Sequence, residues 1–149
     1  MHTIVIDLNQ SIPENQKKKE EIKTKRILIA EPNSDIQFLY SLFTKEYRFS
    51  ISDMNIVENG NKCLEILHSS TENNNDYDLI IIDTHLRDIS GFEVARKIRD
   101  KLPHKRIILT TTYSLENISD IIDSIGIKRE DVILKPFTFL ELISVIEER

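Results

Sequence analysis

The sequence predicts an α/β fold built on a doubly wound parallel sheet. Two observations carry that expectation. Short apolar runs rich in β-branched residues recur along the chain, and between them apolar residues fall at helical spacing. The clearest run, Leu79-Ile80-Ile81-Ile82-Asp83, is bounded by turn-formers and ends on a carboxylate. Such a run reads as a strand buried on both faces, and open α/β sheets place their ligands at the C-terminal ends of such strands.

The alternation begins at Arg26. Ile27-Leu28-Ile29-Ala30 is the first strand. Asn33 or Ser34 caps a helix whose Ile36, Leu39, Tyr40 and Phe43 lie at helical spacing. Met54 to Val57 is a weaker second strand, and Gly60 leads into a helix carrying Leu64, Ile66 and Leu67. Asn73 to Asp76 is a surface loop before the third strand, which ends at Asp83. Phe92, Val94, Ala95 and Ile98 mark the next helix, with Pro103 beyond it. Ile107 to Thr111 is strand four, Leu115 to Ile125 is helical and stops at Gly126, and Val132-Ile133-Leu134 is strand five. Phe139 to Ile146 forms the final helix. Five strands alternating with five helices imply right-handed crossovers.

The domain expected is residues 26–149, one unit with one core. Residues 1–25 are expected to be a largely disordered extension: Thr3 to Leu8 alternates weakly like a strand, and the polar stretch around Lys17-Lys18-Lys19 has linker composition. No output domain is expected after the last helix. The net charge of −5 argues against a general nucleic-acid binder, which needs a basic stripe. No apolar stretch approaches the length of a membrane span, so membrane insertion is not expected. The only cysteine, Cys63, has no internal disulfide partner, and its helical setting suits a small buried side chain; a cytoplasmic home is the default. His2, His68 and His104 show no metal-ligand spacing.

Strands one, three, four and five end in Glu31, Asp83, Thr111 and Lys135. If the strands are parallel and adjacent, these side chains converge on one edge of the sheet. Polar strand ends are common singly; a carboxylate pair, a hydroxyl and an amine together point to phosphoryl chemistry on an aspartate.

Here the sequence resembles the receiver domain of two-component response regulators over about residues 26–149. Asp83 is followed eight residues on by Gly91, and Lys135-Pro136-Phe137 with Glu141-Leu142 matches the family's Lys-Pro-Phe region, whose Lys–Pro bond is typically cis. The resemblance implies the CheY-like, flavodoxin-like strand order 2-1-3-4-5. It also implies a stand-alone receiver with Asp83 as phosphoacceptor and Lys135 as the amine that steadies the phosphoryl group. A threonine at the end of strand four serves as the switch: Thr111 by ungapped counting from Asp83, Thr110 if one residue is deleted. Mg2+ is the implied cofactor, held by Glu31, Asp83 and the backbone carbonyl of His85. The implied partners are a histidine kinase or phosphotransfer protein and a downstream effector met through about Leu115 to Arg149. The domain is expected to catalyse nothing beyond its own phosphorylation and dephosphorylation.

The chain departs from the family pattern at three positions. The usual acid pair after strand one reads Glu31-Pro32, and a proline supplies no ligand where the main metal ligand usually sits, so Mg2+ affinity is expected to fall. Val132 stands three residues before the lysine where an aromatic switch residue is common, and a β-branched aliphatic cannot make the same swing. Arg87 replaces a usual proline.

A second reading keeps the fold as a phosphorylation-independent adaptor. Two enzyme readings fit poorly. An aspartate-nucleophile phosphatase needs an acid where His85 stands. A nucleotide binder needs a glycine loop after strand one, and Gly60, Gly91 and Gly126 all lie elsewhere.

Overall fold

The computed structural model describes residues 25–46 and 51–147. The expected N-terminal extension, with Thr3–Leu8 and Lys17–Lys19, lies outside the described residues apart from Lys25. Five strands, β1 (Lys25–Ala30), β2 (Ile51–Val57), β3 (Leu79–Asp83), β4 (Arg106–Thr111) and β5 (Val132–Leu134), form one parallel sheet in the order β2-β1-β3-β4-β5. The α-helices among the described residues are α1 (Ser34–Glu46), α2 (Gly60–Glu72), α3 (Gly91–Lys101), α4 (Leu115–Ile125) and α5 (Phe139–Glu147). This is the predicted architecture and strand order.

The period-two alternation of the strands divides the core between two layers. Leu28, Ala30, Ile80, Ile82, Ile107 and Leu109 pack with Cys63 and Leu67 of α2, Val94 and Ile98 of α3, and Ile118 and Ile122 of α4. Ile27, Ile29, Leu79, Ile81, Ile108 and Ile133 pack with Tyr40 and Phe43 of α1 and Leu142 and Ile146 of α5. The central strand β3 is buried at every residue, as its unbroken apolar run requires.

Local signals set the helix ends. Asn33 Oδ1 accepts from the Asp35 and Ile36 amides at 2.8 and 3.3 Å and so caps α1. Asn59 and Ser90 cap α2 and α3 through their side chains. Gly126 ends α4 in the left-handed region at φ 80°, where glycine carries no steric cost. Two details differ from the expectation. β2 starts at Ile51, ahead of Met54, because those residues still pair with Lys25 and Arg26 of β1. A short 3-10 turn, Arg129–Asp131, precedes β5. No helix among the described residues is long and apolar enough to cross a membrane.

Candidate functional site

The sheet order places the ends of β1, β3 and β4 side by side, with Asp83 paired in register to Thr110. Glu31, Asp83, Thr110 and Thr111 are all buried. Lys135, just past β5, reaches across the sheet edge. Its Nζ donates to Glu31 Oε1 at 2.7 Å and forms an ion pair with Asp83. The Lys135 side chain is 13 % exposed, so this pairing lies largely out of water. Its backbone N–H donates to the Thr111 carbonyl, and the Lys135–Pro136 bond that follows is cis.

Burial alone would lower the Lys135 pKa, but the bonds to Asp83 and Glu31 more than reverse it, and the amine is held above its ordinary value. Burial raises the Glu31 carboxyl, and the Lys135 and Asn33 donors offset that only in part.

The two threonines occupy different environments. Thr110 Oγ1 donates to Asp83 Oδ2 at 3.2 Å. Thr111 Oγ1 lies 2.8 Å from Thr84 Oγ1 and accepts from the Tyr113 amide at 3.1 Å. Thr110 therefore touches the carboxylate, whereas Thr111 ties the loop after β4 to the loop after β3.

The His85 amide donates to Asp83 Oδ1 at 2.7 Å, and its exposed imidazole packs at a tilt against the Tyr113 ring with centroids 4.6 Å apart. Sequence reasoning missed Thr84, which lies 3.3 Å from His85 Nδ1 and pairs with Thr111. It also missed Asp88, whose carboxylate accepts from the Gly60 and Asn61 amides at 2.8 Å each. An acid in the acceptor loop and free amides at a helix start were the available signals for that link.

A cleft of about 770 Å³ opens beside the site between α1 and α5. Glu31, Asp83, Lys135 and Thr112 line its polar end, and Ile36, Leu39, Phe137 and Phe139 are among its apolar walls. Tyr40 also lines it; among the described residues its buried hydroxyl has no hydrogen-bond partner.

The donor set fits a divalent cation poorly. Mg2+ demands near-octahedral oxygen ligands. Pro32 supplies none, and both oxygens of each carboxylate already accept from protein donors: Lys135 and Asn33 on Glu31, Lys135, Thr110 and His85 on Asp83. Among the described residues, no three acids, histidines or cysteines gather in a metal-holding cluster.

Known proteins resemble this chain in sequence and in fold. The chain is 30 % identical over 122 residues to the cell cycle response regulator CtrA of Brucella ovis, a match covering 81 % of this chain and 48 % of that protein. The chain thus spans about half the length of the curated relatives it matches. A CheY-like receiver domain protein from Methanospirillum hungatei superposes with a TM-score of 0.70 at 25 % identity, covering 85 % of this chain and 93 % of that one. The chemotaxis response regulator CheY4 of Vibrio cholerae shares the fold at a TM-score of 0.71 and 18 % identity, covering 85 % of this chain and 98 % of that one. The family model described as "Response regulator receiver domain" matches residues 27–147, and by that match the chain belongs to the receiver domain family of response regulators.

Proposed function

We propose that the receiver domain expected over residues 26–149 accepts a phosphoryl group on Asp83. Receiver domains are signalling domains of two-component systems; phosphorylation and Mg2+ binding are general features of the family. The observation that carries the reading for this chain is the Lys135 ammonium paired to the Asp83 carboxylate at the C-terminal edge of the sheet.

In the proposed step an Asp83 oxygen attacks the phosphorus of a phosphohistidine on a histidine kinase or phosphotransfer protein. The new P–O bond forms as the P–N bond breaks, and the imidazole leaves with the bonding pair and takes up a proton. Repulsion between the carboxylate and the incoming phosphoryl group opposes the attack, and the Lys135 ammonium is positioned to offset it. The phosphoryl group then competes with Asp83 for the Lys135 and Thr110 donors, and rearrangement of the Thr111–Thr84 link carries the change to the loop after β4. The signal passes to an effector protein through the α4–β5–α5 face. The domain promotes only its own phosphorylation and dephosphorylation, in a cytoplasmic setting that suits its one free thiol.

Intact-mass spectrometry after incubation with acetyl phosphate, with and without Mg2+, tests the reading beside Asp83→Ala. A gain of one phosphoryl group, absent in the variant, is expected. No gain in folded protein, from acetyl phosphate or a kinase donor, would favour the phosphorylation-independent adaptor, to which Pro32 and the engaged carboxylates already lend support.

A further inference from the structure

Two carboxylates meet one ammonium at the polar end of the cleft, and the residue after Glu31 carries no side-chain oxygen. Neighbouring buried carboxylates repel one another, and a cation between them relieves that repulsion. A divalent ion has an incomplete set of ligands here, but the cation position is already served. Lys135 reaches both Glu31, whose side chain is 1 % exposed, and Asp83, whose side chain is 4 % exposed.

The geometry around Glu31 fixes this arrangement from the other side. Its Oε2 accepts from the Asn33 amide at 2.9 Å, and its backbone carbonyl accepts from Gln37 Nε2 at 2.7 Å. The turn between β1 and α1 therefore holds the Glu31 carboxylate with one oxygen toward Lys135. A hydrated Mg2+ would have to shed water, which it does reluctantly, and lie beside the Lys135 ammonium. The like-charge term opposes both ions occupying the same few ångströms.

We propose that the Lys135 ammonium is the resident counter-ion of the Glu31–Asp83 pair and stands in for a divalent cation, so that the pair recruits Mg2+ only when Lys135 is absent. The proposal concerns the site of the phosphoacceptor reading. Its test uses no phosphoryl donor, so the two stand or fall separately.

The full chain, labelled with 15N, is titrated with MgCl2 and followed by the amide resonances of Glu31, Asp83 and His85. Lys135→Met and Lys135→Gln are run beside the wild type; the glutamine keeps a hydrogen-bond donor without the charge and guards against a methionine variant that does not fold. The wild type is expected to show no saturable shift at these amides. At least one charge-removed variant is expected to saturate, binding Mg2+ about tenfold or more tighter than the wild type, the scale of one close charge pair. Thermal midpoints give a second readout: Mg2+ raises the midpoint of the variants and leaves the wild type unchanged. Saturable wild-type binding at Asp83 and His85 overturns the proposal. So does the absence of any gain in Mg2+ affinity in every charge-removed variant that folds.

Discussion

Gly91 approaches Asp83 so closely that a Cβ built on Gly91 would stand 2.1 Å from the Asp83 carbonyl oxygen and 2.7 Å from the Thr84 Cα. Both neighbours are backbone, so neither moves aside cheaply. The Gly91 amide also donates to the Thr84 carbonyl at 3.0 Å. The start of α3 is thereby seated against the residue that carries the proposed phosphoryl group. Gly91→Ala is expected to lower stability by about 1–3 kcal/mol, the usual cost of overpacking, with a fall in the urea midpoint. In the same variant the Asp83 and Thr84 amide resonances should shift more than those of β1. A variant as stable as the wild type, with unmoved resonances, would count against the close seating.

The two threonines at the end of β4 should separate in a stability measurement. Thr111→Val leaves Thr84 Oγ1 without its 2.8 Å partner and the Tyr113 amide without its acceptor, at a cost of about 1–2 kcal/mol. Thr110→Val removes a donor from Asp83, which keeps Lys135 and the His85 amide, and should cost less. Urea denaturation of both variants checks the order. The reverse order would place the tighter hydrogen bond at Thr110.

Cys63 is fully buried in the layer under α2, and burial pushes its thiol up to about 12 from 9.0. A folded pKa raised above the unfolded one gives stability that is complete below the unfolded value and is lost as pH rises through the folded one. The stability of the wild type relative to Cys63→Ala is therefore expected to decline between about pH 9 and 12 and to stay level below that range. At pH 8 iodoacetamide should modify Cys63 only in denaturant. Labelling of the native protein at the rate seen in urea would show that the thiol is exposed.

Much of the fold was legible because its signals are local. Apolar runs gave the strands, Asn33 and Gly126 gave helix ends, and the convergence of Glu31, Asp83 and Lys135 followed once the strands were taken as parallel neighbours. Hydroxyl partners were less accessible. Alternation along β4 says that Thr110 and Thr111 face opposite sides, but their partners depend on register with β3 and on the path of the following loop. The Asp88 link to α2 was hidden for a similar reason: it joins residues 28 apart across a loop with no periodicity. The spacing marked Gly91, yet its cause, a backbone approach rather than a turn, emerges only when α3 is laid against β3.

The bond from Lys135 to Glu31 joins residues 104 positions apart, and Lys135 directly follows the three-residue edge strand β5. A ribosome therefore makes both acids long before it makes the amine. Without β5 and the residue after it, Glu31 and Asp83 lose the ammonium that they share. The pairing of both acids thus waits on the last strand of the sheet, and a product truncated before Lys135 lacks the amine that joins them.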